Sequence, residues 1–108
     1  MIKEYDEVKQ YLDRKVSSKF LPAAVFVNEI YTNEYNALDI NIIGTITITD
    51  DFYSDLKRTV KRKYGNIVTN FEMVDSVFTS HTSILVYLRP TIEIRSDKIH
   101  KIKSNILT

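Results

Sequence analysis

A chain of 108 residues with 44% hydrophobic and 27% charged residues has the composition of one soluble globular domain, expected to span residues 1–108. It has no cysteine, which excludes disulfides, thiolate zinc sites and cysteine nucleophiles. The formal net charge is only +1, yet the positive residues are concentrated in the N-terminal stretch, one short internal segment and the C-terminal tail. No apolar run approaches membrane-spanning length, and MIKEYDEVKQ lacks the apolar core of a signal peptide, so a cytoplasmic location is expected.

The first predicted element is an amphipathic helix from Ile2 to about Ser18. Ile2, Tyr5, Val8, Leu12 and Val16 recur at three- and four-residue steps, while Lys3, Glu4, Asp6, Glu7, Asp13 and Arg14 fill the other face with both signs. Ser17-Ser18 and then Leu21-Pro22 stop it, because the residue before a proline is driven out of helical geometry. Ala24 to Tyr31 (AVFVNEIY) is β-branched and aromatic and reads as a strand. The polar run Thr32–Asn36 is a hairpin connection without the usual glycine.

Leu38, Ile40, Ile42, Ile46 and Ile48 occupy even positions, interleaved with Asp39, Asn41, Ile43, Thr45, Thr47 and Thr49. That alternation predicts one long strand with a buried and a polar face, and Gly44 as a bulge or a point of close approach. Asp50-Asp51 is expected to cap a second helix, and Gly65 to end it in the left-handed conformation. Phe52, Leu56 and Val60 form its apolar stripe. Ile67–Val74 and His81–Leu88 read as a second strand pair, with DSVFTS either extending the first strand or forming the turn. Pro90 marks an edge strand or a strand end, with Thr91–Ile94 as a resumption. Residues 96–108 are either a short closing helix bearing Ile99, Ile102 and Ile106, or a frayed basic tail. The order α-β-β-α-β-β implies an α+β two-layer sandwich, an antiparallel sheet of about four strands with helices on one face.

With the closing helix included, the order helix-hairpin-helix-hairpin-helix is similar to one half of a LAGLIDADG homing endonuclease. That family carries glycines and a metal-binding acid on its first helix, whereas YLDRKVSSKF has no glycine. The resemblance therefore covers element order alone and implies no residue role.

Five of the seven residues from Lys57 to Lys63 are basic, while Phe20–Leu56 and Tyr64–Leu88 contain no Lys or Arg. On a helical wheel Lys57, Arg58, Lys61 and Arg62 cluster opposite the apolar stripe, and Lys63 falls nearer to it and snorkels outward. Such a face can neutralise closely spaced phosphates, and Arg58 and Arg62, one turn apart, suit a major groove. Lys98, Lys101 and Lys103, with Arg95, extend the candidate surface into the tail. A solvated helical face explains the same pattern. The Thr-rich polar face of the long strand lacks the aromatic side chains that single-strand binders stack bases on.

Catalytic constellations are weak. Asp75, Ser76, Thr79, Ser80 and His81 gather an acid, hydroxyls and an imidazole, but no strained nucleophile turn accompanies them and His81 is expected in a turn. His100 lies in the tail, which disfavours a two-histidine metal site. Asp39, Asp75 and Glu93 are the carboxylates that could gather magnesium, and Glu93-Ile94-Arg95 is an unspecific acid-x-base triplet. Neither an enzyme, a cofactor nor a metal is expected. The expectation is a non-enzymatic nucleic-acid-binding accessory protein, for duplex DNA in the first instance, and a homodimer, since an open sheet tends to be paired. The alternative is a protein–protein module such as a small phage or plasmid accessory subunit, inhibitor or assembly component.

Overall fold

The computed structural model describes residues 3–44, 46–76 and 81–90. Among these residues two helices and four strands follow in the order α1 (Lys3–Phe20), β1 (Ala24–Tyr31), β2 (Asn36–Ile43), α2 (Asp50–Tyr64), β3 (Val68–Ser76) and β4 (His81–Leu88). The strands form one antiparallel sheet in the order β1-β2-β4-β3, with both helices on one face, which is the α+β sandwich the element order implies. Each αββ unit contributes its second strand to the centre, so the two units meet at the β2–β4 seam, where Ile40 pairs with Ile84.

α1 forms because its apolar residues fall on one stripe. Tyr5, Val8, Leu12 and Val16 are buried, and acidic residues in the first turn suit the positive end of the helix dipole. It lies against β1 and β2, while α2 lies against β3. Lys9 ties α1 to the sheet through Glu29, at 3.0 Å. The Tyr5 hydroxyl donates to the carbonyl of Arg89 and accepts from Asn36 Nδ2 at 3.2 Å. The glycine-free β1–β2 connection is closed by Thr32, whose hydroxyl donates to the Tyr35 carbonyl at 2.8 Å and accepts from the amides of Glu34 and Tyr35. α1 runs on to Phe20, past Ser17-Ser18, and the Leu21–Pro22 peptide beyond it is cis.

Four local expectations are corrected. The long strand ends at Ile43, because Gly44 adopts φ +142°, a conformation that L side chains rarely take, and turns the chain off the sheet. Ile46 and Ile48 still pack against the core, but from the connection to α2, so Thr47 and Thr49 do not extend the sheet face. The cap of α2 is Thr49 rather than Asp50 or Asp51: its hydroxyl accepts from the Phe52 amide at 3.2 Å, and both acids sit in the first turn. Gly65 ends α2 at φ −63°, in right-handed geometry; a Cβ there would collide with the Lys61 carbonyl oxygen, so close approach rather than handedness favours glycine. Asp75 and Ser76 prolong β3, which also carries an irregularity between Val68 and Asn70. His81 opens β4 instead of lying in a turn, and β4 is a central strand that stops at Leu88, before Pro90. Ile2, Thr45, Thr79, Ser80 and residues 91–108, including the expected strand resumption and closing helix or tail, lie outside the described residues.

The core lies between the helices and one face of the sheet. Leu38, Ile40 and Ile42 of β2 and Ile84 and Val86 of β4 are fully buried there beneath Val8, Leu12, Leu56 and Val60. Truncating Leu56 to Ala should lower unfolding free energy by about 2–5 kcal/mol. Removing the α2 cap with Thr49→Ala should cost about 1 kcal/mol. Urea denaturation of the two variants at constant slope checks this ranking.

Candidate nucleic-acid interface on the helix layer

Burial of Leu56 and Val60 fixes the rotation of α2. Arg58, Lys61 and Arg62 consequently point to solvent and are exposed, while Lys57 is half-buried at the side. Arg58 and Arg62 are separated by about 6 Å of helical rise. Acidic residues fill the first turn of α2 and Lys61, Arg62 and Lys63 its last, the arrangement that the helix dipole favours.

Two cations of α2 lie over aromatic rings. Lys57 Nζ lies 4.8 Å from the Tyr53 ring centroid, and Lys63 Nζ lies 5.3 Å from Tyr11 and 5.9 Å from Tyr64. The snorkelling expected of Lys63 is thus a reach across to α1, over a ring that shields the core below it. Arg58 is engaged differently, in an exposed ion pair with Asp55 at 2.8 Å.

The helix layer holds basic residues that the linear pattern did not single out. Edge-to-face contacts pair Phe20 with Phe52 and Tyr11 with Tyr64, so α1 runs antiparallel to α2 and its C-terminal half lies alongside. Exposed Arg14, Lys15 and Lys19 thereby join the α2 cations. Lys19 Nζ sits 5.7 Å from the Phe52 ring. Tyr11, Arg14, Lys15, Ser18 and Lys63 line one open cavity of about 480 Å³ between the helices. In sequence, Arg14 was one charge of a mixed polar face; only a helix wheel combined with the direction of α2 would have marked it. Lys98, Lys101 and Lys103 lie outside the described residues, as do Arg95, Glu93 and His100.

The sheet lacks such a cluster. Among the described residues every Lys and Arg except Arg89 lies on a helix, whereas the strands carry Glu29, Asp39, Glu72 and Asp75 and no Lys or Arg. A second cavity of about 420 Å³, at the end of the sheet, is lined by Glu34, Tyr35, Glu72 and Tyr87 among others, a set that would repel phosphate. On the face turned away from the helices Asn41 Oδ1 lies 2.6 Å from His81 Nε2 and accepts from the Ser83 hydroxyl at 3.1 Å. His81 thus meets an amide and a hydroxyl, and among the described residues no acid is bonded to the imidazole. Among the described residues Asp39 Oδ1 is buried without a hydrogen-bond partner, and no group of three His, Asp or Glu side chains is placed to hold a metal. No protein-family model, curated protein or solved structure matches this chain.

The clearest titration effects lie at the β1 end of the sheet. The hydrogen bond from Lys9, followed by that from Tyr31, holds the Glu29 carboxyl below its ordinary value. Burial first, and the bond to Glu29 at 2.9 Å second, push the Tyr31 phenol up to about 12. A raised folded value means that the neutral phenol contributes stability below about pH 10, its ordinary value, and that this is lost as pH rises toward 12. Ultraviolet titration should therefore show a phenol ionising near pH 12 that disappears in Tyr31→Phe and moves down in Glu29→Gln.

Proposed function

We propose that this is a small non-enzymatic nucleic-acid-binding accessory protein that grips phosphates, of duplex DNA in the first instance, through its helix layer. The observation that carries this reading is the exposed cluster of Arg14, Lys15 and Lys19 of α1 with Arg58, Lys61, Arg62 and Lys63 of α2, while among the described residues no Lys or Arg lies on a strand. Lys57, Arg58, Lys61, Arg62 and Lys63 supply the main contacts, and Arg14, Lys15 and Lys19 widen the surface toward α1. Among the described residues no helix is long and apolar enough to cross a membrane. A cytoplasmic location belongs to the same proposal.

The test is binding of a labelled mixed-sequence duplex across a salt series. Five phosphate contacts imply roughly a five-hundredfold loss of affinity between about 50 and 200 mM salt. Absence of binding at about 50 mM, where such contacts are strongest, defeats the reading. The Lys61→Glu, Arg62→Glu double variant should abolish binding and shift stability by no more than about 0.5 kcal/mol, because both side chains are exposed. Arg58→Glu is a poorer probe, since it also sets two acids at Asp55 and position 58 against each other. If the double variant binds as tightly as the parent chain, the positive helix is a solvated face.

The alternative, a protein–protein module such as a phage or plasmid accessory subunit, inhibitor or assembly component, draws its support from the sheet face away from the helices, where Phe26, Ile43 and Val74 are exposed. A partner retained after nuclease treatment would favour it.

A further inference from the structure

We infer that the sheet face turned away from the helices is the contact surface between two copies of this chain. The register lines up Phe26, Asn41, Ser83 and Val74 in one row across all four strands. Phe26 is 54% exposed and Val74 48%, so the row reads apolar, polar, polar, apolar. Ile43, 51% exposed, adds to the Phe26 flank, and Leu85 extends the opposite flank. Large side chains gathered this way on one face mark an interaction surface rather than scattered surface hydrophobics.

Three properties point to a second copy as the occupant. The first is self-complementarity. A twofold axis lying in the interface, parallel to the β2–β4 seam, sets Phe26 against Val74 of the second copy and Asn41 against its Ser83. The second is charge. Among the described residues the face has no Lys or Arg, so acidic groups must avoid each other, and the same axis sets Glu72 against Asn28 of the second copy and Asp39 against its Leu85. The third is area. Strands about 4.8 Å apart with about 3.3 Å per residue give a face of about 19 by 26 Å. Two copies then cover about 1,000 Å² before side-chain relief is added, the size at which specific interfaces begin. Aligned sheet-on-sheet packing at about 10 Å is the corresponding geometry. The surface is independent of the phosphate reading, because the helix layer points the other way.

Sedimentation from about 1 to 100 µM tests it, a range that detects micromolar association. The expected result is a concentration-dependent rise from the 12.6 kDa monomer toward twice that mass. Phe26→Asp and Val74→Asp should each weaken association by at least about tenfold, and Arg62→Glu should leave it unchanged. Circular dichroism confirms that the variants are folded. If the aspartate variants unfold, Ser83→Cys replaces them: in a chain without cysteine, a short bismaleimide should trap a covalent dimer. A 12.6 kDa species throughout the range, with no trapped dimer, overturns the inference. Destabilisation of such a monomer by Phe26→Asp would assign the face to another part of the same chain. A dimer that survives both aspartate substitutions overturns it in favour of pairing through the β1 or β3 edge.

Discussion

The structure depends on covering one face of an antiparallel sheet with two helices. At the β2–β4 seam, Leu38, Ile40 and Ile42 meet Val86, Ile84 and Thr82, and all six are buried. A shift of register by one residue would turn Asp39 and Asn41 into that core and expose the isoleucines, so the pairing is strongly specified. The docking of α1 and α2 in turn fixes which side of each helix faces water.

Charge follows from that packing. With Leu56 and Val60 held down, the α2 cations can only point outward or sideways. Those at the side lie over rings, as Lys57 does over Tyr53 and Lys63 over Tyr11 and Tyr64. Each such pair shields an aromatic edge of the core while keeping the ammonium in water. Because α1 is antiparallel to α2, Arg14, Lys15 and Lys19 lie along the same outer surface. The sheet, without Lys or Arg among the described residues, holds Glu29 and Glu72 in hydrogen bonds to Lys9 or to tyrosine hydroxyls. Two surfaces of different chemistry result, one suited to anions and one to a mixed apolar and polar contact.

Local pattern was a good guide wherever one interaction dominated. The β1 limits, the α1 stripe, the basic outer face of α2 and the α+β order were all legible, because alternation and helical periodicity record which side of an element loses water. Periodicity failed where backbone geometry took over. The even-numbered isoleucines run on to Ile48 without a break in phase, yet Gly44 turns the chain, and Ile46 and Ile48 reach the core from a connection. Apolar residues at alternate positions are needed in both cases, so the pattern cannot separate them. Thr49 and Asp50 are both good caps, and only the entry angle of the chain selects Thr49.

By itself, then, the sequence determined the elements, their buried sides and the segregation of positive charge, since each is a property of neighbours along the chain. Tertiary structure alone decided which distant residues share a surface. Strand order brought Phe26 and Val74, from opposite edge strands, into one row with Asn41 and Ser83. Helix direction brought Arg14 and Lys15 to Lys63. Both depend on how the two αββ units dock across the seam, a free energy of burial shared over the whole core and written in no short stretch of residues.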